Sequence, residues 1–279
     1  MPATPIITLA FIGMITTLFI CFAAPILSFL LLRRRHARMA GPLVAGALAF
    51  YVSQMLIRIP LLQFGLPFLQ KQGIEINGGF LYLLALSLSA GLFEETARVG
   101  AFRLLIKERR TWASGVAFGI GHGGIEAILL VGMTYVNNLV FSILYNQGTL
   151  NVFLEGKVPP ETVSAIVSAL TGTSADQFFA AGLERLMTMA IHIALSLIVL
   201  EGILKGHTWL FWLLAVLLHG GVNLMSSGLV AAGFGIWWSE AALLVVAAIA
   251  VMYVFSSKRR FPDETTDVDE AHKALEEGY

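Results

Sequence analysis

Two adjacent carboxylates, Glu94 and Glu95, precede Arg98, and two later apolar stretches each carry a histidine with a polar residue four positions on: His122 with Glu126, and His219 with Asn223. A third histidine, His192, follows Glu184 and Arg185 in another apolar stretch. On a helix, residues four apart share a face. Such a pair can offer two ligands to one metal ion, or a catalytic group with a hydrogen-bonding helper. Glu94 and Arg98 have that spacing too, which sets an acid beside a compensating cation. Glu94 and Glu95 are about 100° apart around a helix and are expected to do different jobs.

These groups lie in an unusually apolar chain. Of 279 residues, 57% are hydrophobic and 13% charged, against roughly 25% charged in an average soluble domain. The mean hydropathy is +0.79. The expected class is an all-α, polytopic transmembrane helical bundle. Runs long enough to cross a bilayer lie at about 6–32, 41–59, 79–106, 112–145, 177–204, 208–230 and 234–256. A formal net charge of zero gives no electrostatic basis for nucleic-acid binding. The single cysteine, Cys21, excludes an intramolecular disulfide framework.

The basic residues predict orientation. Arg33, Arg34, Arg35 and Arg38 follow the first run, Lys107, Arg109 and Arg110 the third, Lys205 the fifth, and Lys258, Arg259 and Arg260 the seventh. Seven spans, with the N-terminus outside and the C-terminus cytoplasmic, place all of these clusters in the cytoplasm. One transmembrane domain over 1–260 is expected, its catalytic core at about 79–230, followed by an acidic tail over 261–279. That tail holds seven of the eighteen acidic residues, and its composition reads as disordered. In the outer loop, 146–176, Pro160 to Leu170 reads as a short amphipathic helix with Gly172 just beyond its end. It reads as a connector packed on the bundle, with a lid as the alternative.

Depth unites the polar groups. Glu95, His122, His192 and His219 lie eleven to thirteen residues inward from the cytoplasmic ends of the third to sixth runs. At 1.5 Å per residue this is roughly 16–20 Å, near mid-bilayer. Ionisable residues at that depth are costly and usually face the bundle interior. Gly115, Gly119 and Gly123 form a stripe beside His122, and Gly220 and Gly221 follow His219. Small residues allow close helix approach or leave room for an extended peptide. Arg185 reads as a neutraliser of Glu184 or Glu126, and Gln54 and Arg58 as snorkelling or cross-helix hydrogen bonding.

The ordered set Glu94-Glu95-Thr96-Ala97-Arg98, Phe118-Gly119-Ile120-Gly121-His122, Gly123-Gly124-Ile125-Glu126, His192 and His219-Gly220-Gly221-Val222-Asn223 resembles the YhfC family of bacterial intramembrane metalloproteases. That family is similar to a larger group containing CAAX prenyl proteases, bacteriocin-processing CPBP proteins and PrsW proteases. The group's double glutamate, Phe-x3-His and His-x3-Asn are matched by Glu94/Glu95, Phe118/His122 and His219/Asn223. Arg98 departs from it, following after two intervening residues rather than three, as in the Glu-Glu-x-x-Lys pattern of PrsW. Glu126 resembles the acid of PrsW's second motif.

The resemblance implies a multi-pass protein of the bacterial cell membrane that hydrolyses a membrane-embedded or membrane-proximal peptide. On this reading Glu94 or Glu95 activates a water, Arg98 holds the other carboxylate ionised, and His219 and Asn223 stabilise the oxyanion. His122, His192 and His219, with Glu126, would bind zinc. No HExxH motif occurs, and a metal-free mechanism using glutamate and histidine stays open. Two other classes remain: a proton- or cation-coupled transporter, and a non-catalytic scaffold on the same fold. The first predicts ion flux in proteoliposomes, and the second tolerates alanine at Glu94 and Glu95.

Overall fold

The computed structural model describes residues 6–72, 78–107 and 110–262. Arg109 and most of the acidic tail lie outside the described residues. All regular structure among the described residues is helical. Seven helices are long and apolar enough to cross a membrane: α1 (Thr8–Arg33), α2 (Ala40–Lys71), α3 (Phe80–Leu104), α4 (Trp112–Asn146), α7 (Ala175–Leu204), α8 (Thr208–Ala231) and α9 (Ile236–Arg260). Between α4 and α7 lie the short helices α5 (Leu150–Leu154) and α6 (Pro160–Gly172). The expected outer-loop helix is α6; α5, too short to show a period, was not foreseen.

Two helices change register midway. In α2 a π-helical stretch, Tyr51–Arg58, separates α-helical Ala40–Phe50 from Ile59–Lys71. In α4 the π stretch is Ala127–Gly132. A π turn fits an extra residue into the helix and re-aims the side chains around it. The second apolar run was expected to end near Pro60. The helix continues past Pro60, which falls in the first turn of the α-helical segment that resumes at Ile59 as the π stretch ends.

The chain divides into two compact units. The first comprises Met1–Ala24 and Glu126–Leu186. Its core gathers Met14, Tyr135, Leu170 and Phe178. Thr17 donates its hydroxyl to the Phe178 carbonyl at 2.5 Å, and the Asn146 side chain brackets the Ile6 backbone, accepting from its N–H at 2.8 Å and donating to its carbonyl at 3.1 Å.

The second unit comprises Pro25–Ile125 and Met187–Tyr279 and holds the larger core, including Phe102, Phe118, Leu197 and Leu200. Here α3 packs along α8, and also against α2. The glycines permit backbone-to-backbone approach. A Cβ on Gly119 would lie 2.4 Å from the Ile193 Cα, one on Gly121 1.9 Å from the Leu43 carbonyl oxygen, and one on Gly46 2.0 Å from the Phe118 carbonyl oxygen. The α4 glycines are thus filled by α7 on one side and α2 on the other. Of the two readings of the stripe, close packing is the one observed. Gly221, by contrast, faces open space.

Many large apolar side chains on the spans point outward, as Phe19, Leu81 and Met252 do. Such a surface suits lipid rather than water. At one end of the second unit, buried Glu201 accepts from Lys205 Nζ at 2.6 Å, Tyr253 Oη at 2.9 Å and Arg260 Nη1 at 3.2 Å. It joins α7 to the end of α9.

Candidate active site

Four helices of the second unit bring their ionisable groups together. Glu94 and Glu95 project from α3, His122 from α4, His192 from α7 and His219 from α8, and all are buried. The two carboxylates have different neighbours, as their angular separation requires. Glu94 Oε2 lies 2.8 Å from His122 Nε2 and 3.7 Å from His219 Nε2. Its other oxygen, Oε1, accepts from Gln54 Nε2 at 2.5 Å.

Glu95 instead pairs with Arg98. Arg98 Nε is 2.8 Å from Glu95 Oε2, and Nη2 donates to Oε1 at 3.2 Å. The four-residue spacing sets Arg98 beside Glu94, while the mechanistic reading leaves it to hold either carboxylate. The ion pair that forms spans three residues, which leaves Glu94 to the histidines. Arg98 also donates to the His192 carbonyl at 3.0 Å and to the Ser196 hydroxyl, while Ser196 donates to the same carbonyl at 2.7 Å. One buried guanidinium therefore ties α3 to α7. Burying it is tolerable because its carboxylate and carbonyl partners are buried with it.

His219 Nδ1 lies 2.9 Å from Glu95 Oε1. A carboxylate held by a guanidinium accepts, so Nδ1 carries a proton and donates it. A metal-ligating histidine usually has its second nitrogen donating to a carboxylate in this way. The three rings stand in a row, with centroids 4.9 Å apart for His122 and His192 and 5.2 Å apart for His192 and His219. Phe50 meets the His122 ring edge-on at 5.5 Å, and Phe118 stacks near it at 6.3 Å.

The cluster fits a metal ion. Ligand atoms of Glu94, His122 and His192 all lie within 4.8 Å of one another, and all three residues are buried. His219 Nε2 lies 3.7 Å from the same Glu94 oxygen. Imidazole nitrogens with a carboxylate oxygen are the donor types that zinc takes.

The remaining site candidates are placed as follows. Asn223 is half-buried, one turn beyond His219 on α8. Glu126, in the first unit, accepts from Arg185 Nη1 at 3.0 Å, and Arg185 also donates to Glu184. Arg185 thus neutralises both acids. Gln54 and Ser196 contact the site and were not read as part of it. For Ser196 the available signal was its position four residues after His192. For Gln54 it was a lone amide in an apolar run, which has many structural uses.

Seven spanning-length helices define a multi-pass membrane protein, and the acids and imidazoles buried together in the second unit form a metal-binding type of polar site. The comparison with known proteins narrows this class. The chain belongs to the family described as YhfC intramembrane metalloprotease, whose model matches residues 20–255. It is 30% identical over 246 residues to YhfC of Bacillus subtilis (strain 168), an uncharacterized membrane protein. That match covers 87% of this chain and 94% of the relative. No solved structure matches the chain significantly.

Proposed function

We propose that this protein is a zinc-dependent intramembrane endopeptidase that hydrolyses a peptide bond in or near the bilayer of a bacterial cell, using a water activated by Glu94. The observation that carries the reading is the Glu94 carboxylate, with Oε1 occupied by Gln54 and Oε2 turned to His122 and His219. It is the carboxylate suited to be the base, because Glu95 is committed to Arg98 and His219.

His122, His192 and His219 would hold the zinc, with Glu94 Oε2 beside them. When bound there, the ion supplies Lewis-acid polarisation of the scissile carbonyl. Glu94 takes a proton from the attacking water as its oxygen adds to the carbonyl carbon. It returns that proton to the leaving nitrogen when the C–N bond breaks. Glu95, anchored by Arg98, keeps the His219 ring oriented. Asn223, one turn on, donates to the developing oxyanion. Burial of the cluster shields these hydrogen bonds from competition with bulk water. The orientation that supports this reading has the N-terminus outside and the C-terminus cytoplasmic.

The test is elemental analysis of purified protein together with cleavage of reconstituted transmembrane peptides. About one zinc per chain, and cleavage lost in Glu94→Gln, are expected. An active, well-folded preparation with substoichiometric metal would overturn the zinc assignment. Full activity in the Glu94→Ala/Glu95→Ala double variant would overturn the protease reading.

A further inference from the structure

The second helix supplies neither the base nor a metal-holding residue of the mechanism above, yet it contacts the central carboxylate. Gln54 is 3% exposed and lies in the π-helical stretch of α2. Its side-chain oxygen accepts from Arg58 Nη1 at 3.1 Å. A guanidinium can only donate, so this contact sets the orientation of the amide. The amide nitrogen is then turned away from Arg58, and it donates to Glu94 Oε1 at 2.5 Å. Arg58 is itself anchored on α3: Nε donates to the Ser89 hydroxyl at 3.1 Å and Nη2 to the Leu86 carbonyl at 2.6 Å. The chain of bonds leaves α3 at Leu86 and Ser89, crosses to α2, and returns to α3 at Glu94.

We infer that Gln54 and Arg58 are positioning residues for Glu94: the relay occupies Oε1 and thereby leaves Oε2 as the single oxygen offered to the histidine cluster. An unrestrained carboxylate can rotate about its terminal torsion, which has a broad, roughly two-fold profile. Both oxygens would then compete for His122. With Oε1 engaged, rotation costs a buried hydrogen bond to a charged group, a class worth more than a neutral one. Phe50, one turn before Gln54 on α2, packs its ring edge-on to His122. The same helix therefore orients the carboxylate and braces the imidazole nearest to it. The π stretch is what re-aims Gln54 and Arg58 relative to the α-helical segments on either side.

This inference rests on the metal-site reading, and the experiment separates the two. Metal-stripped protein is titrated with Co²⁺, and both affinity and the visible Co²⁺ absorption bands are followed. The variants are Gln54→Leu, Arg58→Gln and the conservative Gln54→Asn, with thermal unfolding as a control for fold. Outer-shell partners of metal sites typically change affinity about 10–100-fold. Gln54→Leu should weaken Co²⁺ binding by about tenfold or more and shift the absorption bands. Arg58→Gln, which frees the amide without removing it, should have a smaller effect in the same direction. Partly exposed Arg58 keeps the test valid should Gln54→Leu fail to fold. Wild type that binds Co²⁺, with variants within twofold of it and unchanged spectra, would overturn the relay alone. Wild type that binds no Co²⁺ would overturn the metal site and the relay with it.

Discussion

The adjacent glutamates answer to different demands, and substitution should separate them. Glu95 compensates the fully buried Arg98. Glu95→Ala strands that charge, and breaking a buried pair in this way costs about 3–5 kcal/mol. A large fall in the thermal unfolding temperature in detergent is therefore expected. Glu94→Gln keeps an acceptor for Gln54 at the same place and should unfold within a few degrees of wild type while losing activity. Metal content makes a second distinction. His122→Ala and His219→Ala should each lose most bound zinc, because each removes a ring from one buried cluster. Glu126→Gln should keep it, since that carboxylate is engaged by Arg185. Retained zinc in both histidine variants would remove these rings from the ligand set.

At the level of helices, the site depends on how near α4 can come to its neighbours. Gly119 admits the α7 backbone and Gly46 admits the α4 backbone. A methyl group at either position meets main-chain atoms that cannot swing aside. Overpacking of this kind typically costs about 1–3 kcal/mol. Gly119→Ala should lower the unfolding temperature and also weaken metal binding, because Ile193 adjoins His192. Gly221→Ala, which meets open space, should do neither. A Gly119→Ala variant with wild-type stability and zinc affinity would show that α4 and α7 need not approach so closely. The stripe of glycines was legible in the sequence, but its use was not: close packing and room for a peptide demand the same residues.

For the whole molecule, the expectation to test is orientation. The described clusters at Arg33–Arg35, Lys107, Lys205 and Lys258–Arg260 follow alternate spans, which predicts one side for all of them. With Cys21 replaced by serine, cysteine at Arg259 should react with an impermeant thiol reagent only when the cytoplasmic face is opened. Cysteine at Lys157 should react from outside in intact cells. The reverse pattern would invert the topology. The Glu201 contacts with Lys205, Tyr253 and Arg260 belong to this scale too, since they fasten the end of α9 to α7. Glu201→Ala should lower stability without affecting zinc, because the residue touches none of the site groups.

Span number, most span limits and the shared depth of Glu95, His122, His192 and His219 are one-dimensional properties. They follow from hydropathy and from the fixed rise of a helix, so the sequence alone determined them. The family resemblance is equally a matter of ordered motifs, and the chain's membership agrees with it. Pairing is different, because it depends on rotation and separation of helices that composition does not encode. Helical spacing assigned Arg98 to Glu94, but the packing of α3 against α7 and α8 gave it Glu95, His192 and Ser196. Gln54 lay in the sequence as one amide among apolar residues. Only the tertiary arrangement, with a π turn re-aiming α2 and Arg58 fixing the amide, decided that it would hold the central carboxylate.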